Sequence, residues 1–286
     1  MLTICQLTAS LTADLTDVYP AAEAGAIADL VVEHLLNLSP MQRRLRGGEE
    51  AAEAALAPLP ALRERLLGHE PVQYVLGKAW FADMELEVTP ATLIPRPETE
   101  ELVQLISREH RGRPGLTLLD VGTGSGCIAL ALCRALTPRR ALALDVSGGA
   151  LEVARRNAGR YSCPVEFVQA DILGDNLPEL SHSLDVLVSN PPYVRESERS
   201  QMRANVLDYE PATALFVPDA DPLLFYRRIA ELGRQWLRPG GALYFEINEA
   251  YAAAMVGLVE GLGYGQVRAR ADIFGKDRML SAIAEG

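Results

Sequence analysis

Leu116-Thr117-Leu118-Leu119-Asp120-Val121-Gly122-Thr123-Gly124-Ser125-Gly126 sets a short apolar run against three alternating glycines, and Ile128–Leu136 follows at once. A run this short, apolar throughout, suits a strand buried on both faces. Glycines after it let the backbone turn tightly and come close to a ligand, which a Cβ would prevent. Ile128–Leu136 then reads as a helix. The same alternation continues on the C-terminal side, with short apolar runs at Ala141–Asp145, Val165–Gln169, Leu184–Ser189 and Ala242–Ile247 and a helical stretch at Gly149–Tyr161. Strands alternating with helices predict a doubly wound α/β fold.

The chain ahead of this unit has a different texture. Ile27, Leu30, Val31, His34, Leu35 and Leu38 recur at helical spacing. Ser39-Pro40 ends that run and offers an N-cap and a first-turn proline to the next element. Glu49–Leu56 and Pro60–Leu67 read as further short helices, so a small bundle is expected. From Val72 the composition shifts, and Trp80-Phe81 with alternating Met84, Leu86 and Val88 predicts a hairpin. Prolines 90, 95 and 97 mark an extended loop. The expected domains are a helical bundle over 1–75, a β-hairpin linker over 76–92 and an α/β domain over 93–286.

Of the 286 residues, 49% are hydrophobic and 23% charged, the balance of a soluble globular protein. The start lacks a basic segment followed by an apolar run, and no membrane span is expected. Cys5, Cys127, Cys133 and Cys163 form no CxxC pair, which fits a reducing compartment and a cytoplasmic address. Net charge is −11, with −5 on residues 1–75. Binding to a nucleic-acid backbone favours a basic surface, so this balance argues against direct nucleic-acid contact.

Three motifs carry chemistry. The glycine turn Gly122-Thr123-Gly124-Ser125-Gly126 has GxGxG spacing, not the GxGxxG of a dinucleotide site, and points to S-adenosyl-L-methionine. Asp145 closes the next strand 19 residues after Gly126, where a carboxylate can accept from ribose hydroxyls; the plainer reading is an acid that caps the helix beginning near Ser147. Asp171 falls after Val165–Gln169, where such folds contact adenine, or simply caps a turn. The third motif is Ser189-Asn190-Pro191-Pro192-Tyr193, at the C-terminal end of a strand. Two prolines stiffen the backbone and supply no N–H, Asn190 offers its Oδ1, and Tyr193 offers an aromatic face. Two fixed acceptors suit a planar NH₂ group, whether an amide or the exocyclic amine of a nucleobase. Each of these residues is also an ordinary turn former, but the position after the other two motifs favours the site.

No metal is expected: His34, His69, His110 and His182 are scattered and read as packed or surface residues. Ser125 is no nucleophile elbow, because threonine stands at position 123 where G-x-S-x-G needs glycine.

Beyond these motifs the chain resembles the release factor glutamine methyltransferases over nearly its whole length. The resemblance rests on Pro71–Gly77, Leu93-Ile94-Pro95-Arg96-Pro97-Glu98-Thr99-Glu100, Asp120–Ile128, Ser189–Tyr193, Tyr209-Glu210-Pro211 with Ala214-Leu215, and Asp272–Arg278. It implies a Rossmann-like class I methyltransferase fold with a seven-stranded sheet and a small N-terminal domain of five helices that recognises release factors. It implies methyl transfer to the side-chain amide of the glutamine in the Gly-Gly-Gln loop of peptide chain release factors, with S-adenosyl-L-homocysteine as product and a monomer as the working form. By match, Gly122–Gly126, Asp145, Asp171 and Ile172 contact the cofactor. Asn190, Pro191, Pro192 and Tyr193 hold the glutamine, with Asn190 also near the cofactor methyl. The chain departs from the family pattern at Asp219–Leu224, where a Gly-Leu turn is usual, and at Asn248, where glycine is usual. A DNA or RNA amino-methyltransferase and a catalytically silent adapter are the competing readings.

Overall fold

The computed structural model describes residues 2–286; Met1, the first residue of the expected helical domain, lies outside that range. The chain forms two compact units: one runs to Lys78 and includes Arg203–Tyr209, and the other holds Ala79–Met202 and Glu210–Gly286.

The first unit contains α1 (Ile4–Leu15), α2 (Ala21–Leu36), α3 (Pro40–Leu45), α4 (Leu59–Leu67) and α5 (Val72–Leu76). Thr3 and Ser39 begin α1 and α3 as capping boxes with Gln6 and Gln42, and Pro40 takes the first turn. Leu11, Leu15, Ile27, Val31 and Leu66 form its core. One expectation changes here. Glu49–Leu56 is helical only over Glu53–Leu56, as a 3₁₀ turn, because the chain before it pairs with the start of α1: Ala51 N–H donates to the Leu2 carbonyl and Ile4 N–H to that of Glu49. Val72–Leu76 is the last helix of the bundle. Arg65 donates to the carbonyls of Tyr74 and Val75 at its end, and Gly77, in the left-handed region at φ 69°, stops it. Within the same unit Tyr209 donates to the Gly68 carbonyl.

The second unit opens on a hairpin of β1 (Lys78–Phe81) and β2 (Met84–Glu87), then α6 (Pro97–Glu109). Next come β3 (Thr117–Val121), α7 (Cys127–Leu136), β4 (Arg140–Asp145), α8 (Gly148–Tyr161), β5 (Val165–Gln169) and β6 (Leu184–Ser189). After the short strand β7 (Val194–Arg195), the chain enters the first unit through α9 (Ala204–Leu207) and returns as β8 (Phe216–Val217). It finishes with α10 (Leu224–Trp236), β9 (Leu237–Glu246), α11 (Ala252–Gly261), β10 (Tyr264–Ala271) and β11 (Asp277–Ala284).

Seven strands form one sheet in the order β10-β11-β9-β6-β3-β4-β5. β9, β6, β3, β4 and β5 run parallel, while β11 and β10 are antiparallel additions. Side chains alternate between two cores, as a strand requires. Leu119, Val121, Leu187, Leu243 and Phe245 pack on one face with α10 and α11, and Leu118, Val186, Val188 and Tyr244 on the other with α6 and α7. At one edge β10 is bulged between Gly265 and Arg268, with Gln266 at φ 51°. At the other, Glu166 of β5 pairs with Arg140.

The hairpin is part of the second unit's core, since Phe81, Met84 and Leu86 are buried among Leu102, Ile106 and Leu118. Phe81 is buried while its neighbour Trp80 is exposed, as alternating strand faces require, and β2 is tied to α8 where the Glu85 and Glu87 N–H groups donate to Tyr161 and Asn157. Phe81→Ala should therefore lower unfolding free energy by about 3–5 kcal/mol, measured by urea denaturation. A loss of half a kcal/mol or less would show that the hairpin is not part of that core.

Candidate active site

β3 and β6 lie side by side at the point where the strand order reverses, with Val121 paired to Ser189. Ligands in open α/β sheets bind outside the carboxyl ends of such strands. A cavity of 370 Å³ opens there, entirely within the second unit. Gly122, Gly124, Asp145, Asp171, Ile172, Asn190, Pro191 and Pro192 stand in its wall, together with Leu93, Phe216, Phe225 and Ile229.

The glycine turn is built by backbone bonds to β4. Gly122 and Thr123 N–H both donate to the Leu144 carbonyl, and Gly124 N–H donates to the Asp145 carboxylate at 2.8 Å. Gly122 and Gly124 sit at φ 74° and 55°, and no atom lies within 4 Å of where a Cβ would stand at either. That open space is the cradle a ligand can fill. Thr123, Ser125 and Gly126 are not in the cavity wall. Thr123 is buried and donates to Asp120 at 2.6 Å, the Ser125 carbonyl accepts from Asn157, and Gly126 is packed against Ala154 and Leu130.

Asp145 combines both of its expected parts. Its carboxylate accepts from Gly124 and from Ser147 N–H at 2.9 Å, so it organises the start of α8 while facing the cavity. Burial pushes its carboxyl up, against those backbone donors. Asp171 likewise caps a turn, accepting from Leu173 N–H at 2.9 Å, and still lines the cavity; Ile172 is buried beside it. No Lys or Arg is in the wall among the described residues. A pyrophosphate would lack a cationic side-chain partner here, whereas the Asp145 carboxylate offers an acceptor to a neutral or cationic ligand.

On the opposite side Ser189 donates to the Val121 carbonyl at 2.7 Å and ties the Asn190 turn to β3. Asn190 Nδ2 donates to Thr99 Oγ1 at 3.2 Å, and Thr99 donates to Glu246 Oε2 at 2.6 Å. Tyr193 is outside the cavity wall; its hydroxyl donates to Glu246 Oε1 at 3.2 Å. The Tyr193 ring packs against the sheet core and is not in the cavity wall. None of the four histidines lines the cavity: His110 is buried against Tyr244 and Arg113. No group of three or more His, Cys, Asp or Glu among the described residues could hold a metal.

Residues 6–77 match the family model described as PrmC N-terminal domain, and residues 118–209 match that of a methyltransferase domain. A release factor glutamine methyltransferase of Bacteroides thetaiotaomicron is 45% identical over 97% of this chain and 99% of its own. The chain belongs to the release factor glutamine methyltransferases. A second member, from Flavobacterium psychrophilum, is 43% identical over 76% of each chain. Among solved structures, a methyltransferase from Pyrococcus furiosus covers 78% of this chain and 98% of its own with a TM-score of 0.53 and 21% identity, which shows the shared fold. The class I methyltransferase fold expected from the sequence is thus established.

Thr99 and Glu246 were not among the expected site residues of this family member. The signal for Glu246 is a single acid in the apolar run Leu243–Ile247. Thr99 lies in the Leu93–Glu100 segment that carries the family resemblance, but nothing there assigns its side chain to the site.

Asp120 also lies behind the glycine turn, fully buried, with one carboxyl oxygen taken by Thr123 and Ala129 and Oδ1 without a partner. Burial pushes its carboxyl up to about 7. The folded protein then binds this proton more tightly than the unfolded chain does. Its contribution to stability is most favourable below the ordinary carboxylate range and declines as pH rises through about 7. Asp120→Asn should flatten that decline, read as the change in urea midpoint between pH 5 and pH 8. An unchanged pH slope in the variant would count against a raised Asp120.

Proposed function

We propose that this chain transfers the methyl group of S-adenosyl-L-methionine to the side-chain amide nitrogen of the glutamine in the Gly-Gly-Gln loop of peptide chain release factors, leaving S-adenosyl-L-homocysteine. Family membership supports the reading. The observation that carries it is that Asn190 and Pro191 stand in the same cavity wall as Gly122, Gly124 and Asp145. One side suits an adenosyl ligand and the other suits a planar NH₂.

Gly122 and Gly124 are to admit the cofactor against backbone, Asp145 is to accept from its ribose, and Asp171 and Ile172 are to border its adenine. Thr123, Ser125 and Gly126 act by holding that turn in shape. The bound cofactor supplies an electrophilic methyl on a sulfonium. An amide nitrogen is a weak nucleophile, because its lone pair is delocalised into the carbonyl. Asn190 Oδ1 and the Pro191 carbonyl accept its two N–H bonds and fix the direction of the nitrogen; as the N–CH₃ bond forms the S–CH₃ bond breaks, and one of the N–H protons leaves to solvent. Alignment of this kind supplies up to about 7–11 kcal/mol for well-oriented reactants. Pro192 keeps the Pro191 carbonyl rigid, and Tyr193 braces the turn from behind. The helical domain over 1–75 is assigned to release-factor recognition.

The same reading places the protein in the cytoplasm as a monomer that makes no direct nucleic-acid contact. The free cysteines and the net charge of −11 support it, and no helix among the described residues is long and apolar enough to cross a membrane.

Labelled S-adenosyl-L-methionine and a purified release factor, with and without a Gln→Ala change in its loop, test the assignment. Label should depend on that glutamine; label that survives the change, or that appears on nucleic acid, would overturn it. Among variants, Asn190→Ala should lower turnover by about 100-fold or more with little loss of cofactor affinity. Asp145→Ala should instead weaken cofactor binding by about 10–100-fold. Equal loss of cofactor affinity in both would remove this division of roles.

A further inference from the structure

We propose that Thr99 and Glu246 are positioning residues that decide which end of the Asn190 amide faces the cavity, so that Oδ1 and not Nδ2 meets the acceptor NH₂. The inference rests on the reading above for what the acceptor is, and on the hydrogen-bond chain for the rest.

An asparagine amide has two ends of nearly equal size, one accepting and one donating. Left to itself, Asn190 could present either to the cavity after a half-turn about its last torsion. Only one of these suits a group that brings two N–H donors; the other sets donor against donor and leaves both unpaired, at about 1–3 kcal/mol for each buried group. The wall therefore needs something that reads the polarity of the amide.

Thr99 and Glu246 supply it. An ionised carboxylate can only accept. Its Oε2 takes the Thr99 hydroxyl at 2.6 Å and its Oε1 takes the Tyr193 hydroxyl at 3.2 Å. A hydroxyl has one hydrogen, so Thr99, having given its own to Glu246, shows only lone pairs to Asn190. Nδ2 occupies that acceptor at 3.2 Å, and Oδ1 is left pointing the other way. Thr99 and Glu246 are 2% and 1% exposed, so water does not compete for these bonds. Burial pushes the Glu246 carboxyl up, while Thr99, Tyr193 and the Arg278 guanidinium favour its charged form and Glu98 opposes it. The direction of the chain thus originates in a buried negative charge two bonds away from the residue that meets the substrate.

This accounts for features that the glycine turn and the proline motif leave unexplained. A lone acid in the apolar end of β9 is costly unless its charge is used. Threonine in Arg96-Pro97-Glu98-Thr99-Glu100 sits in the first turn of α6, buried, where a hydroxyl has no packing purpose. The arrangement also specifies which chemical part of each residue matters: the hydroxyl of Thr99 and the accept-only character of Glu246.

Three variants separate this from a packing role. Thr99→Ser keeps the hydroxyl, Thr99→Val keeps the shape without it, and Glu246→Gln keeps the size but removes the charge and leaves one acceptor oxygen for the two hydroxyls of Thr99 and Tyr193, so the direction of the chain is no longer enforced. With purified release factor as substrate, Thr99→Ser should stay within about 3-fold of the parent, while Thr99→Val and Glu246→Gln should lose about 10–100-fold in kcat/KM. Affinity for S-adenosyl-L-homocysteine, measured by titration calorimetry, should be unchanged in all three. Side-chain ¹⁵N–¹H signals of Asn190, assigned by their loss in Asn190→Asp, give a readout that needs no acceptor. The Thr99→Ser signals should match the parent, and the Thr99→Val signals should move toward those of a solvated asparagine. A parent that modifies no release factor would remove the functional reading and leave these signals to decide the positioning role. Thr99→Val that matches Thr99→Ser in activity and in Asn190 signals would overturn the inference, as would loss of cofactor affinity in parallel with activity. If Glu246→Gln does not fold, the two Thr99 variants still decide it.

Discussion

The parallel pairing of β3 with β6 is the constraint from which the site descends. From β3 the chain moves outward through β4 to β5, then returns to the other flank of β3 as β6 and moves outward again to β9. Segments leaving β3 and β6 therefore diverge toward opposite layers, and a crevice is unavoidable between them. Register does the rest. Because Val121 is paired with Ser189, Gly122 and Asn190 are each the first residue past the last pairing, and the Ser189 hydroxyl on the Val121 carbonyl keeps that register from slipping. The Gly122 and Asp145 side of the cavity is thus made from the ends of β3 and β4, and the Asn190 side from the end of β6.

The carboxylates of the second unit show how a fold handles buried charge. Asp145 spends its oxygens on backbone N–H groups from two loops and so fixes a turn and a helix start together. Asp185 does the same work at the far end of the sheet, accepting from Thr117 N–H and pairing with Arg238. Glu246 is served by side-chain hydroxyls alone. Asp120 is the exception, with one buried oxygen unpaired. A group of that kind is costly, and sites of catalysis are where such costs are usually carried.

How much of this could be read without coordinates depends on the distance along the chain between interacting groups. The glycine turn and the Asn190–Tyr193 segment were legible because each is a local arrangement after a strand. Asp145 was legible because strand and helix lengths in this fold hold its offset nearly constant. Which residues of a turn face the ligand is another matter: spacing places Gly122–Gly126 together but cannot say that Thr123 turns inward to Asp120 while Gly124 stays open. Tyr193 is a similar case, legible as part of the motif and not as a residue aimed at Glu246. The bond between Thr99 and Glu246 spans 147 positions, and nothing in either neighbourhood announces it. At the bundle, Val72–Leu76 has the composition of a strand and becomes helix because Gly77 and Arg65 terminate it well, a tertiary preference overriding a local one.

The edges of the sheet bear on a different property. Seven strands leave two open margins, and an open margin of flat, neutral backbone recruits strands from other molecules. Here β10 is kinked at Gln266 and carries Arg268 and Arg270, while β5 meets solvent with Glu166 held in an ion pair. An incoming strand would find a bent ladder on one side and charge on the other, so the fold that gathers its ligand at the centre discourages self-templated growth at its rims.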